Sequence, residues 1–517
     1  MTTEPLPGGY LSHKQILTVL GGLMAGMFLA ALDQSIVGTA LPRITSDLDG
    51  LDRLSWVVTA YLLTSTASTP LWGKISDLYG RRLIFQAAIV TFLVGSLLSG
   101  LSQDIDQLIG FRAVQGLGGG GLFALALATI GDVIPPRERG RYQGYFGAVF
   151  GTSSVLGPVL GGFLAEGPGW RWIFFVNVPI GIVALVVTSA ALKLPHVRRE
   201  HSIDYLGAAT IVSAVTSVLL YTAWAGPSQT YGWGSPLGVG LLFAGAVLTA
   251  SFVLVESRAA EPIIPLELFG MRVFSLASVF AFIIGIAMFG ALIFLPYYLQ
   301  VVQGMSPTRS GLALLPMVVG IFSTSISSGQ VMSRTGRYKA FPILGAVVTM
   351  CGLFLLSRLG VDTPYWQTGL SVYVLGAGLG FTMQIIVTVV QNAVPQRHIG
   401  TGTSSVTFFR SMGGAFGTAL FGAILSSRLA VHLAEALPAT NAAPINTSDV
   451  SAITGLPDGV RELVIGAFAE SLHEVFLWAV PVVLIALAVA LFIPEIPLRS
   501  RETPTGAPTE AAAPVPG

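Results

Sequence analysis

The chain has 517 residues, of which 53% are hydrophobic and only 10% are charged, and its formal net charge is +1. A soluble globular protein carries roughly 25% charged residues, so this composition excludes a water-soluble protein of this size. The mean hydropathy of +0.75 points the same way, and the balanced charge does not indicate a nucleic-acid partner. The single cysteine, Cys351, can form neither an intrachain disulfide nor a cysteine-based zinc site. We predict no metal and no cofactor.

Apolar runs long enough to cross a bilayer recur along the whole chain. A transmembrane helix needs ~20 mostly apolar residues to cross ~30 Å of hydrocarbon, and the runs do not alternate as barrel strands would. The first run is too long for the apolar region of a signal peptide. The sequence therefore predicts an all-α membrane protein with fourteen transmembrane helices. The predicted spans are 16–41, 55–73, 82–101, 107–130, 142–165, 171–193, 204–226, 237–256, 273–300, 311–332, 340–358, 368–392, 403–427 and 472–494.

The distribution of positive charge predicts the orientation. An even number of spans places both termini on one side of the membrane. Of the 27 Lys and Arg residues, 18 lie in segments on that side and 7 on the other, while Arg112 and Arg410 lie inside spans. The positive-inside rule then makes both termini cytoplasmic. Residues 428–471 form the longest external loop, and the tail 499–517 is predicted to be disordered.

An internal repeat divides the chain. Segment 73–81 matches 329–337 at an offset of 256 residues, and 135–140 matches 395–400 at an offset of 260. The same offset of 260 relates two sets of glycines, Gly116, Gly118 and Gly120 with Gly376, Gly378 and Gly380. An offset of eight spans pairs spans 1–6 with spans 9–14 in the same orientation, which is the arrangement of two parallel six-helix bundles. The predicted units are residues 1–200, an inserted helix pair at 201–260, and residues 261–498.

Five short motifs complete the pattern. They are Leu32–Val37 followed by Ala40–Ile44, Gly73–Arg82, Arg112–Gly116, Gly157–Gly162, and Trp170–Trp172 followed by Asn177 and Pro179. Over nearly the whole chain, these motifs and the repeat resemble the fourteen-helix drug:proton antiporter branch of the major facilitator superfamily.

This resemblance implies a monomeric multidrug efflux transporter and not an enzyme. Its partners would be protons, the lipid bilayer and a hydrophobic substrate, either neutral or cationic. Its mechanism would be alternating access. The low cysteine count and the absence of organelle signals favour a bacterial inner membrane. Export of a lipid, a siderophore or an endogenous antibiotic on the same fold is the alternative, and sodium in place of protons is also open. No P-loop and no zinc-protease motif is present.

Asp33 lies inside span 1, far from both of its ends. A carboxylate within a membrane is costly unless it is paired or protonated, so such acids are candidates for function. Arg112 lies at a similar predicted depth in span 4 and begins an Arg-x-x-Gln-Gly motif that resembles a proton-transfer element of the family. We predict that the two residues couple proton movement to transport. A structural acid and an arginine that snorkels to the headgroups are the alternatives.

The loop between spans 2 and 3 resembles the gating loop of the family. Its glycines permit a tight turn, and its acid can accept hydrogen bonds from an arginine or lie at a helix N-terminus. The resemblance implies a charge relay that holds the gate, and the alternative is a basic loop that only sets topology. In the second repeat Ser333 replaces the acid, which predicts a degenerate copy. The residues of the predicted relay are Gly73, Asp77, Gly80, Arg81, Arg82 and Asp132.

Two further groups of residues are candidates. The first resembles the antiporter signature of span 5, with Ser153 where the family pattern has glycine, although helix packing would also explain its glycines; it contains Gly157, Pro158, Gly161 and Gly162. The second group comprises polar side chains within spans that either line a substrate cavity or form hydrogen bonds between helices. These are Gln34, Gln115, Tyr297, Gln384, Gln391 and Arg410.

Overall fold

The computed structural model describes residues 13–48, 54–134, 138, 142–192, 204–224, 234–259, 261–436 and 456–498. Over these ranges the regular structure is helical. The backbone in hydrocarbon has no water to bond to, and a helix satisfies its N–H and C=O groups internally. The long helices are α1 (His13–Asp47), α2 (Leu54–Tyr79), α3 (Arg81–Leu101), α4 (Ile105–Val133), α5 (Gln143–Glu166), α6 (Trp172–Ala191, in two adjoining pieces), α7 (Tyr205–Trp224), α8 (Pro236–Glu256), α9 (Arg272–Tyr297), α10 (Leu315–Thr335), α11 (Ala340–Leu356), α12 (Tyr365–Ala393), α13 (Ile399–Ala436) and α14 (Asp458–Phe492).

Within the described ranges, eleven helices are long and apolar enough to cross a membrane, and α11 is a shorter apolar helix. Long exposed apolar side chains form stripes on these helices; on α3 they include Leu83, Val90 and Val94, which suits contact with lipid. The all-helical membrane fold is therefore confirmed. The count of fourteen spans stays a prediction, because α2 and α5 are not among these eleven helices.

Helix α2 contains several hydroxyl side chains, which make it less apolar and which bond to a neighbouring helix. Thr64 Oγ1 donates to the Ala113 carbonyl of α4 at 2.8 Å. In the second half Thr324 Oγ1 of α10 donates to the Ala377 carbonyl of α12, also at 2.8 Å. Hydroxyl groups of this kind hold membrane helices together, so helices that contain many of them face other helices more than lipid.

The glycines of the repeat make equivalent contacts in the two halves. A Cβ atom at Gly116 or Gly120 would collide with α2, and a Cβ atom at Gly376 or Gly380 would collide with α10. The middle glycine of each set packs in the same way on the following helix, α3 or α11. Small residues let membrane helices approach closely, so the two bundles are built by the same packing rule.

The two bundles touch along a limited set of helices. Helix α13 of the second bundle packs on α2 and α4 of the first, and α10 packs on α5. The inserted helices α7 and α8 pack on each other, and α7 also lies against α2 and α13. The inserted pair therefore borders the junction between the bundles.

Two helices extend beyond their predicted spans into the predicted external loop 428–471. Helix α13 continues to Ala436, and α14 begins at Asp458. Arg428 Nε lies 2.7 Å from Glu474 Oε2, and His432 Nε2 lies 3.0 Å from Glu474 Oε1, so the extensions brace each other. Hydropathy marks where the chain leaves lipid, whereas helical hydrogen bonds continue into water. The external loop 428–471 therefore stays a prediction, and both of its ends are helical. Residues 437–455 and the tail 499–517 lie outside the described residues.

Candidate functional site

Three polar side chains from two helices surround Asp33, which is completely buried on α1. Arg112 of α4 donates from Nη1 to Asp33 Oδ2 at 2.6 Å. Gln115 of α4 and Asn177 of α6 donate to Asp33 Oδ1 at 2.8 and 3.0 Å. Each carboxylate oxygen therefore accepts at least one hydrogen bond, one of them from a positive charge. We call these four residues the Asp33 cluster.

Further contacts fix the orientation of Arg112. Its guanidinium lies 4.4 Å from the centre of the Tyr61 ring on α2. Its Nη1 also donates to Gln115 Oε1 at 2.7 Å, and its Nε donates to the Val57 carbonyl at 3.3 Å. A charged pair in a low-dielectric interior is stable only when such partners satisfy its remaining groups. The arginine is thus held in place and does not snorkel.

Asn177 connects the cluster to α3. It begins the second piece of α6, and its Nδ2 also donates to Ser96 Oγ at 3.0 Å. Ser96 Oγ in turn donates to the Phe174 carbonyl in the first piece of α6 at 2.9 Å. The break in α6 therefore places an amide beside the buried acid, and four helices converge there.

The structure brings Asp33 and Arg112 into contact, and it places Gln115 with them. Asn177 and Tyr61 were not predicted as site residues. The signal available for Asn177 was its position, an amide at the start of an apolar segment. Asn177 is included in the sequence-based predictions only as part of a family motif. Nothing in the sequence singles out Tyr61 among the aromatic residues.

A second cluster joins the two bundles at the ends predicted to be cytoplasmic. Arg81 Nη2 lies 2.6 Å from Asp77 Oδ1, and Arg81 Nε lies 2.6 Å from Asp132 Oδ2 at the end of α4. Asp77 Oδ2 accepts from the backbone N–H and the hydroxyl of Thr401, each at 2.8 Å, and Oδ1 accepts from the Gly400 N–H at 3.2 Å. A carboxylate of the first bundle therefore caps the N-terminus of α13, where a negative charge is favoured. We call these five residues the gating cluster.

Local backbone geometry explains the glycines of the gating loop. Gly80 has φ of 94°, a conformation that side chains with a Cβ rarely adopt, and it separates α2 from α3. A Cβ atom at Gly73 would collide with Ser404, and one at Gly400 would collide with Asp77 and Arg81. Arg82 is exposed and lies away from this contact.

Two more contacts close the same end. Lys74 Nζ lies 2.7 Å from Glu261 Oε2. Gln391 Nε2 of α12 donates to the Leu127 carbonyl of α4 at 2.9 Å and to Thr403 Oγ1 of α13 at 3.0 Å. Gln391, predicted as a cavity candidate, thus bridges the bundles. The contributions of Glu261, Gly400 and Thr401 were not predicted, and only the repeat match that ends at Gly400 pointed to this region.

The span 5 motif lies against the helix that carries Asp33. A Cβ atom at Gly157 would collide with Ser35, whose Oγ donates to the Ser153 carbonyl at 2.9 Å. Gly161 is buried, whereas a Cβ atom at Gly162 would meet no atom within 4 Å. Pro158 lies in α5 between these glycines. The close approach of α5 to α1 is therefore centred two residues from Asp33.

The remaining cavity candidates are spread over four helices. Gln34 is exposed on α1, and Tyr297 is 38% exposed at the end of α9. Gln384 is buried on α12, and Arg410 lies on α13. Over the described part of the chain, no group of three His, Cys, Asp or Glu side chains is arranged to hold a metal ion.

Comparison with known proteins assigns the family. The family model described as Major Facilitator Superfamily matches residues 23–418. An uncharacterized MFS-type transporter of Mycobacterium tuberculosis is 42% identical, over 95% of this chain and 71% of that protein. The multidrug transporter protein MdtP of Bacillus subtilis is 34% identical, over 98% of this chain and 97% of that protein.

Solved structures share the fold. A human organic anion transporter superposes with a TM-score of 0.61 at 15% identity, covering 90% of this chain and 99% of that one. A proton:xylose symporter superposes with a TM-score of 0.58 at 14% identity, covering 93% of this chain and 96% of that one. These family members and structural neighbours are transporters and not enzymes. The chain is a multi-pass membrane transporter and belongs to the Major Facilitator Superfamily.

Proposed function

We propose that this transporter is a proton-coupled antiporter that exports hydrophobic small molecules by alternating access. The observation that carries the proposal is the Asp33 cluster, because a completely buried acid with a single cationic partner is suited to taking up and releasing one proton. Relatives over nearly the full length are named as multidrug transporters, which supports the export of hydrophobic compounds.

The proton acts on the contact between α1 and α4. As a carboxylate, Asp33 accepts from Arg112, Gln115 and Asn177. A proton on Asp33 removes the charge that holds Arg112, which keeps its bonds to the Gln115 side chain and the Val57 carbonyl. Asp33 takes this proton from outside as substrate leaves and releases it inward as the next substrate binds.

Helix α4 is the physical link to the gate. It carries Arg112 near one end and Asp132 at the other. A shift of α4 that follows protonation of Asp33 would move Asp132 relative to Arg81 and weaken the cap that Asp77 places on α13. The two bundles then separate at the cytoplasmic ends.

The finer features of the family branch are part of this proposal. We assign α2, α5 and the shorter apolar helix α11 as spans as well, which with the other eleven gives fourteen. The polar and small residues of α2 and α5 face neighbouring helices. Both termini are cytoplasmic, the protein works as a monomer in the cell membrane, and the bundles comprise residues 1–200 and 261–498 with the inserted pair at 201–260.

The test compares wild-type protein with Asp33→Asn in liposomes under an imposed pH gradient, using hydrophobic fluorescent dyes of different charge. We expect the variant to bind dye and to lose gradient-driven movement. Asp362→Asn, which removes an exposed loop acid, is the matched control and should behave as wild type. Gradient-driven movement by Asp33→Asn at the wild-type rate would place the coupling elsewhere.

A further inference from the structure

Arg410 is a half-buried positive charge on α13, a helix of the second bundle. It lies eleven residues after Ile399, the first residue of α13, which is ~16 Å along a helix that rises 1.5 Å per residue. The span predicted from hydropathy begins at residue 403, so Arg410 lies ~10 Å along the helix from the predicted edge of the lipid.

Close packing fixes the position of Arg410. A Cβ atom at Gly285 of α9 would collide with the Arg410 carbonyl, and one at Gly413 would collide with the Phe282 carbonyl. The backbones of α9 and α13 are therefore in contact at this residue and one turn after it. Neither helix can rotate to move the guanidinium without losing that contact.

Within the described ranges the guanidinium has no counter-charge. Its Nη1 is shielded from solvent and has no hydrogen-bond partner there. Asp33, the acid buried in the first bundle, already accepts from Arg112, Gln115 and Asn177. Arg112 is thus neutralised, whereas the half-buried Arg410 is not. A charge that is removed from water without a partner is costly, which favours an anion beside it.

The register of α12 and α13 places an amide at the same depth. Gln391 and Thr403 are in contact where these antiparallel helices meet the first bundle. Gln384 precedes Gln391 by seven residues, and Arg410 follows Thr403 by seven, which is two helical turns in each case. Both residues therefore lie ~10 Å along their helices from the closed cytoplasmic contact, on the same helix faces as Gln391 and Thr403.

We propose that Arg410 binds the carboxylate of the transported molecule, with Gln384 beside it, and that the preferred substrates are hydrophobic carboxylic acids and not lipophilic cations. A guanidinium forms two parallel hydrogen bonds with a carboxylate, and these are among the strongest in proteins. A lipophilic cation would meet Arg410 with the same sign of charge and would find Asp33 already satisfied. This proposal adds a substrate class to the proposed export function, and it rests on that function for the direction of transport.

The test measures binding of three pyrene probes that differ only in charge: pyrenebutyrate, its neutral amide, and pyrenebutylamine. We expect wild-type protein to bind the acid more tightly than the amide by roughly tenfold or more and to bind the amine most weakly. Arg410→Gln should remove the preference for the acid, and Arg410→Lys, which keeps the charge but cannot form the two parallel hydrogen bonds, should retain only part of it. Arg358→Gln, which removes an exposed arginine, should bind as wild type.

Binding is measured at constant pH without a gradient, so the result does not depend on proton coupling. A wild-type protein that binds the amine as tightly as the acid would overturn the proposal. An unchanged preference for the acid in Arg410→Gln would overturn it as well. If Arg410→Gln fails to fold, the comparison of wild type with Arg410→Lys across the three probes still decides between the outcomes. If wild-type protein prefers the acid but shows no gradient-driven transport, that result counts against the antiport mechanism and not against the Arg410 site.

Discussion

Asp33 and Arg112 neutralise each other in a region where neither charge is stable alone. Both residues could be found from sequence, because an acid or a base inside a long apolar run is conspicuous and costly. Their partners could not be found in the same way. Asparagine and glutamine occur in many helices, so Asn177 and Gln115 do not stand out in the sequence. Only the rotation of α4 and α6 about their axes brings these two amides to the carboxylate.

The charge pair predicts strong coupling in a double-mutant cycle. Arg112→Gln leaves a buried carboxylate without its cation, and Asp33→Asn leaves a buried cation without its acid, each of which costs about 3–5 kcal/mol. The double variant has neither charge, so its thermal midpoint in detergent should lie above the midpoints of both single variants. Additive losses of stability in the double variant would contradict a direct pairing. Arg358→Gln should leave the midpoint unchanged.

At the scale of helices, close approach depends on particular glycines. The sequence predicted where the helices lie because apolar runs are long, and it predicted paired glycines because the repeat preserves their spacing. It could not predict which glycine of a motif bears the contact. Gly157 packs on Ser35, whereas Gly162, five residues later, has open space in place of a side chain. Hydropathy likewise missed the ends of α13 and α14, since ion pairs stabilise helical turns outside the lipid.

These two glycines form a matched pair of test sites on α5. Gly157→Ala should force α5 away from α1, lower the thermal midpoint and reduce gradient-driven transport, because the contact lies two residues from Asp33. Gly162→Ala should be neutral or stabilising by up to about 1 kcal/mol, since alanine is the better helix former. Thermal unfolding and transport assays on both variants check this. Equal effects of the two substitutions would rule out the packing account.

At the scale of the whole molecule, two bundles are held together at one end by residues far apart in sequence. Asp77 and Gly400 are separated by 323 positions. The repeat predicted two parallel bundles, but no local pattern states that the loop of one bundle caps a helix of the other. The second copy of the loop, with Ser333 in place of the acid, lacks the carboxylate that makes this contact. The contact between the bundles at this end is therefore asymmetric although the packing within the bundles is similar.

This asymmetry predicts that one substitution shifts the equilibrium between closed and open cytoplasmic ends. Asp77→Asn removes the charge from the cap on α13, and a charge-assisted hydrogen bond is worth about 1.5–3 kcal/mol, so the ratio of closed to open molecules should fall roughly ten- to hundredfold. Spin labels on Leu83→Cys and Leu344→Cys, which are exposed near the first turns of α3 and α11, report the separation of the bundles in a Cys351→Ser background. We expect a longer distance to gain population in Asp77→Asn and not in Asp362→Asn. If the distance distribution of Asp77→Asn matches that of the parent, the cap on α13 does not hold the gate, and Lys74 with Glu261 or Gln391 with the Leu127 carbonyl must supply the closure.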